Sequence, residues 1–229
     1  MPILNDLLAQ AVFLAALPAV AGVFVTATLL VVSRDWRLNT IALALQYFFV
    51  TLLMTQVTRV EMAAVKALIG WVICLVFYLT EQQARAPARL DQSEGTLSLR
   101  NWFLARLEGW RHQGISARAA FSFMATLLVG VTVYVSSSAM PLPQLSQSLT
   151  MVCYLLAGLG IVLLGLSQDP LRVGVGLLMF LSGFDLFYVA LEPSLVVTGF
   201  LGAISFVIAL GTAYLKAAQL AASGEERAP

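Results

Sequence analysis

Charged, metal-binding and redox-active side chains are all scarce in this sequence. Asp, Glu, Lys and Arg make up 11% of the 229 residues, whereas hydrophobic residues make up 60%. A soluble domain needs more polar surface than this composition supplies, so the chain is expected to lie in a lipid bilayer. His112, Cys74 and Cys153 are too few and too scattered for a zinc or haem site. The sequence therefore predicts no metal and no cofactor.

Motifs of nucleotide binding and nucleophilic catalysis are lacking as well. There is no Walker loop and no nucleophile elbow. The glycines of AGLGIVLLG (157–165) lie inside an apolar run, where they favour close helix packing. Both cysteines also lie in apolar runs and are interpreted as small core residues. We therefore expect no catalytic site in this chain and no nucleic-acid partner.

Long apolar runs recur along the whole sequence and predict an all-α, polytopic membrane protein. A spanning helix needs roughly 20 mostly apolar residues, and about seven runs meet that requirement. The predicted spans are 11–32, 38–57, 60–80, 119–137, 149–167, 171–191 and 194–216. The first run has no basic segment before it and is long enough to span, so it is interpreted as a helix rather than a signal peptide.

The distribution of lysine and arginine predicts the orientation of these spans. With the N-terminus outside, Arg59 is the only basic residue in an outer segment, and Lys66 lies within a span. The inner side then holds Arg34, Arg37, Arg85, Arg89, Arg100, Arg106, Arg111, Arg118, Arg172, Lys216 and Arg227. Basic residues concentrate on the cytoplasmic side of membrane proteins. The pattern indicates a cytoplasmic (inner) membrane protein with its N-terminus outside and its C-terminus in the cytoplasm.

The one long connection, 81–118, is predicted to be cytoplasmic. Its first part, EQQARAPARLDQSEG, is polar and is expected to be irregular. In its second part Leu99, Phe103, Leu107 and Trp110 recur at helical spacing with arginines between them. That pattern suits an amphipathic helix at the lipid headgroups or against a soluble partner. An ordinary surface helix in a loop is the alternative.

The sequence on either side of this connection is similar in layout. LLVVSRDWRLNTIALALQ (29–46) and LLGLSQDPLRVGVGLLMF (163–180) both leave a helix, form a Ser-x-Asp turn and enter another helix. This indicates a parallel repeat of a three-helix unit with one helix and a loop inserted, although coincidence would explain the few identities equally well. The predicted segments are a first unit 1–80, the loop 81–118, a connecting helix 119–137, a second unit 149–216 and a tail 217–229.

Two ionisable residues lie inside the predicted spans. Lys66 is about six residues from the outer end of span three, and Asp185 is about six residues from the outer end of span six, so each lies roughly 9 Å deep. An unpaired charge in hydrocarbon costs several kcal/mol, which predicts that the two side chains meet in the bundle interior. The alternative for Lys66 is snorkelling to the headgroups. A protonated or interface-facing carboxyl is the alternative for Asp185.

Other polar residues are candidates for a supporting role. Gln46, near the middle of span two, is either a hydrogen-bonding link between helices or a polar station in a water wire. Glu61 and Glu192 lie at outer helix ends and are interpreted as rim residues that could pass protons to a deeper pair. Asp35 and Asp169 are predicted to cap the inner ends of two helices.

The second three-helix unit resembles a known family. LSQDPLRVGVGLLMFLSGFDLFYVAL followed by LVVTG and ALGTAYLK is similar to subunit K of NADH-quinone oxidoreductase and to its small three-helix counterpart in multi-subunit cation/proton antiporters. The first half, through WRLNTIALALQ and the span that carries Lys66, resembles hydrogenase-4 component E. Subunit K carries glutamates within its second and third helices. Leu178 stands at the first of those positions here, and the last two spans contain no glutamate, so that pathway does not carry over.

The resemblance implies a non-catalytic membrane subunit of a complex I-like, group 4 hydrogenase-like or antiporter-like assembly. Such a protein would contribute to proton or cation translocation beside larger antiporter-like membrane subunits, with Lys66, Asp185 and Gln46 as the candidate ion-path residues. The alternative is a structural anchor without an ion path, whose inner loop docks a soluble partner.

Overall fold

The protein is a bundle of long helices, with no strand in the part of the chain that the structure describes. The computed structural model describes residues 18–33, 35–89, 117–142 and 145–225. The helices are α1 (Pro18–Val32), α2 (Trp36–Met54), α3 (Val60–Arg89), α4 (Ala117–Ala139), α5 (Gln147–Leu166), α6 (Pro170–Leu191) and α7 (Leu195–Glu225). Helices α2 to α7 are each long and apolar enough to cross a membrane. The prediction of an all-α polytopic protein is confirmed.

The largest difference from the predicted spans is at the inner ends of α3 and α7. The segment 81–89 was expected to be irregular, yet α3 continues through it to Arg89. Helix α7 likewise runs to Glu225, although its span was predicted to end at 216. Both extensions are rich in Ala, Gln, Glu and Arg, which are strong helix formers, so helical propensity outweighs the loss of apolar character. The proposed amphipathic helix around Phe103 lies outside the described residues.

Helices α5 and α6 pack backbone against backbone through glycines. A Cβ atom placed on Gly160 would lie 2.7 Å from the amide nitrogen of Phe180 and 2.8 Å from the carbonyl oxygen of Gly176. A Cβ on Gly183 would lie 2.9 Å from the carbonyl oxygen of Cys153. Only a residue without a side chain permits these approaches, which is the usual reason for small residues at membrane helix interfaces. The expected packing role of the glycines in α5 is therefore confirmed at Gly160.

The remaining contacts place α3 and α6 in the middle of the bundle. Helix α3 packs against α2 and α7, α6 packs against α5 and α7, and α2 also touches α6. Helix α4 packs against α5 alone among the principal helix pairs of the described residues, and most of its surface is exposed. The third helices of the two proposed repeat units, α3 and α7, thus contact each other, while the duplication itself stays a prediction.

Polar contacts tie the inner ends of the helices together. The Nη2 atom of Arg172, in the first turn of α6, donates to the carbonyl oxygens of Leu30, Val31 and Ser33 at 3.1–3.3 Å. These are carbonyls at the C-terminal end of α1, where the helix itself offers no donor. Near them, the Nζ atom of Lys216 lies 2.9 Å from Oδ1 of Asp169.

The aspartates at these turns do not act as predicted. Asp35 and Asp169 occupy the N-cap positions of α2 and α6, but neither side chain forms a capping hydrogen bond. The carboxylate of Asp169 pairs with Lys216 instead. The prediction of their place in the helix was right, and the prediction of side-chain capping was wrong.

Candidate functional site

The centre of the candidate site is an ion pair between α3 and α6. The Nζ atom of Lys66 lies 2.6 Å from Oδ2 of Asp185, and each side chain is 1% exposed. Lys66 is among the largest fully buried side chains of the described bundle. The predicted meeting of the two charges inside the protein is therefore confirmed. Snorkelling of Lys66 and an interface-facing Asp185 are both incompatible with this geometry.

Tyr47 of α2 forms a third side of the site. The Nζ atom of Lys66 is 5.8 Å from the centre of the Tyr47 ring, within the range in which an aromatic face attracts a cation. The ring rests on Gly70, one turn from Lys66 along α3, where a Cβ atom would lie 2.6 Å from ring carbons. Gly70 thus lets α2 approach α3 closely enough for Tyr47 to reach the ammonium.

The site holds more hydrogen-bonding capacity than its own side chains use. The contact between Lys66 and Asp185 is close, but its angles are not those of a hydrogen bond, and Oδ1 of Asp185 has no partner either. The hydroxyl of Tyr47 lies near that of Ser182 on α6, again without hydrogen-bond geometry. Donors and acceptors at this depth are therefore open to exchange partners with a small hydrogen-bonding molecule.

Gln46 lies next to Tyr47 on α2 and is 3% exposed. Its Oε1 atom has no hydrogen-bond partner among the described residues, so the interpretation as a hydrogen-bonding link between helices gains no support. The structure also shows no contact of Gln46 with either member of the ion pair within the part it describes. Its role as a polar station stays a prediction.

The two rim candidates are found where they were expected. Glu61, in the first turn of α3, and Glu192, just beyond the end of α6, are both exposed. The carboxylate of Glu192 accepts a long hydrogen bond of 3.4 Å from the hydroxyl of Tyr188. Neither glutamate touches the buried pair in the described part of the chain, and a proton-feeding role for them remains a prediction.

Sequence reasoning missed Tyr47 and Ser182. Ser182 precedes Asp185 by three positions, which places both on one side of α6, and this spacing was available as a signal. Tyr47 follows Gln46 and could have been recognised as buried, because Leu43, Tyr47 and Val50 recur at helical spacing. Neither spacing reveals that Tyr47 faces a lysine on the next helix, since that depends on how α2 and α3 are rotated.

The fold and the site define a class: an all-helical membrane protein with several spanning helices and one buried ion pair joining two of them. Comparison with known proteins goes no further, since no family model, no curated protein and no solved structure matches this chain.

Proposed function

We propose that this chain is a non-catalytic membrane subunit that supplies a proton-transfer station to a larger ion-translocating assembly. The observation that carries the proposal is the Lys66–Asp185 pair, 1% exposed on both sides and 2.6 Å between Nζ and Oδ2. Ionisable residues within membrane helices mark proton and ion routes far more often than they mark simple packing.

The chemistry of the pair suits a proton. When Asp185 takes a proton from Lys66, one N–H bond breaks and one O–H bond forms, leaving a neutral amine beside a neutral acid. Both the charged and the neutral form carry no net charge, so the buried site tolerates either one better than a lone ion. A metal cation would have to displace the ammonium from Asp185, which favours the proton as the transferred species.

The surrounding groups support relay to and from the pair. Oδ1 of Asp185, the Tyr47 hydroxyl and Oε1 of Gln46 are buried and lack hydrogen-bond partners in the described chain. Each can accept a hydrogen bond, and the hydroxyl can also donate one. A proton arriving through ordered water would find acceptors at the pair and at two consecutive positions of α2.

The sequence resemblance supports a particular setting. Similarity to subunit K of NADH-quinone oxidoreductase, to its small antiporter counterpart and to hydrogenase-4 component E points to an assembly with larger, antiporter-like membrane subunits. Within it this chain would work beside the catalytic or redox module and would not perform the chemistry itself.

A structural anchor without an ion path is the second candidate, and the same pair favours it in one respect. An ion pair with no exposed surface and no net charge also holds α3 against α6 at a fixed rotation. The two candidates differ in whether the ammonium must release its proton.

Lys66→Arg separates the two functions. Arginine keeps the positive charge next to Asp185 but does not deprotonate in proteins, so the pair persists while transfer stops. We expect proton uptake into inside-out vesicles containing the assembled complex, followed with a pH-sensitive dye, to fall at least about tenfold. Assembly, followed by co-purification, should be retained.

Lys216→Arg provides the matched control, because it makes the same substitution in the partly exposed pair with Asp169. Its vesicles should take up protons like the wild type. Unchanged uptake with Lys66→Arg in an intact complex would reject the proton station and leave the structural anchor.

The orientation of the spans is part of the proposal and rests on the basic residues. Ser138, at the end of α4, and Gln82, in α3, are both exposed and lie on opposite sides in the predicted topology. A membrane-impermeant maleimide added to whole cells should label Ser138→Cys and leave Gln82→Cys unlabelled. Cys74 and Cys153 are buried, so they contribute little background. The reverse labelling pattern would invert the topology.

A further inference from the structure

A small cavity lies between α2, α3 and α6, on the side of the bundle away from the outer ends of α3 and α6. Its volume is about 30 Å³, and it is half open rather than enclosed. Asn39, Glu81 and Arg172 supply its polar lining. A cavity needs at least about 10–15 Å³ to hold one water molecule, so this one has room for about two. Oδ1 of Asn39 is buried and has no hydrogen-bond partner among the described residues, which gives water a place to bind.

The inner end of the cavity and its blind end differ in chemistry. Its polar lining residues lie within the first turns of α2 and α6 and in the extended part of α3. Leu43 and Phe77, which line it deeper in the bundle, are 1% and 3% exposed. Polar groups thus surround the entrance, and two packed apolar side chains lie where the cavity stops.

The cavity points along the helices toward the candidate site. Asn39, Leu43 and Gln46 lie on one face of α2, with Gln46 two turns or about 10 Å beyond Asn39. Leu43 lies between them. Phe77 lies on the same face of α3 as Lys66, three turns or about 16 Å away. Leu43 and Phe77 therefore separate a space large enough for water from the unpartnered groups around the ion pair.

We propose that this cavity is a hydrated vestibule that gives the Lys66–Asp185 pair access from the inner side of the membrane, and that Leu43 and Phe77 form an apolar plug that closes it. The inference rests on the proposed proton station and names its route and its barrier. Water in the vestibule binds Asn39, and a proton passes the plug only when the two apolar side chains separate. An apolar constriction of this kind blocks conduction by excluding water.

Thiol accessibility to Ag⁺ tests the vestibule without any measurement of ion transport. Single cysteines are introduced in the full-length chain with Cys74 and Cys153 replaced by alanine, and membrane vesicles of both orientations are exposed to Ag⁺. Thr40 lines the cavity, while the adjacent Ile41 is 58% exposed on the outer surface of the bundle. We expect Thr40→Cys to react at least about tenfold faster than Ile41→Cys, and only from the inner side.

The plug is tested at Gln46, which lies beyond Leu43. Gln46→Cys should be unreactive when Leu43 is present and should react at least about tenfold faster when Leu43→Ala is added. Equal reactivity of Thr40→Cys and Ile41→Cys, or reaction from the outer side, would overturn the vestibule. Reaction of Gln46→Cys with Leu43 intact, or none after Leu43→Ala, would overturn the plug. Because Lys66→Arg is judged by proton uptake and these variants by thiol reaction, the two proposals fail separately.

Discussion

Replacing Lys66 with alanine is expected to lower the free energy of unfolding by about 3–5 kcal/mol, the largest loss of any single truncation in the bundle. The substitution leaves the carboxylate of Asp185 buried, at 1% exposure, with no cation beside it. An uncompensated charge in a low-dielectric interior carries most of its desolvation cost without any attraction to offset it. Thermal unfolding of the detergent-purified protein measures the loss.

Asp185→Asn in the Lys66→Ala background should restore much of that stability, because it removes the orphaned charge. Lys216→Ala is the matched control, since it also deletes the lysine of an ion pair. Its partners are 21% and 35% exposed, and a solvent-screened pair contributes less than about 1 kcal/mol. If the double variant were no more stable than Lys66→Ala alone, the stabilising role of the pair would be wrong.

Adding one methyl group at Gly160 is expected to destabilise the protein by about 3 kcal/mol, near the upper end for overpacked cores. The new Cβ atom would lie 2.7 Å and 2.8 Å from backbone atoms of α6, and backbone cannot rotate aside as a side chain does. Helices α5 and α6 would have to separate along their shared interface. The shift in unfolding temperature of Gly160→Ala measures the effect.

Gly165→Ala is the control for this substitution in the same helix. A Cβ atom at Gly165 meets nothing within 4 Å, and alanine is the better helix former by about 1 kcal/mol. Gly165→Ala should therefore leave the unfolding temperature unchanged or raise it. Equal behaviour of the two alanine variants would mean that α5 and α6 are not packed as closely as described.

The depth of Lys66 and Asp185 could be predicted from the sequence because a spanning helix fixes position along the membrane normal. Counting residues from a helix end gives depth, and the cost of a buried charge then favours pairing. Rotation about the helix axis is not fixed by counting. That is why Tyr47 and Ser182 were found only in the folded bundle, where the rotation of α2 and α6 is visible.

The role of Arg172 was hidden for a related reason. A cation in the first turn of a helix is unfavourable next to the positive end of the helix dipole, and this was a signal that another element holds it. The sequence does not say which element. The answer depends on α1 ending beside the start of α6, and this adjacency arises from tertiary packing alone.

The contact between Arg172 and α1 also sets an order in time during synthesis. Val31 and Arg172 are 141 residues apart, so the end of α1 leaves the ribosome roughly ten to thirty seconds before the side chain that caps it, at about 5–20 residues per second. Lys66 likewise enters the bilayer well before Asp185 is made. During this interval the first three helices have neither the cap nor the counter-charge that they have in the finished protein. Insertion of α6 delivers both together, and the newborn first half of the chain matures only when that helix arrives.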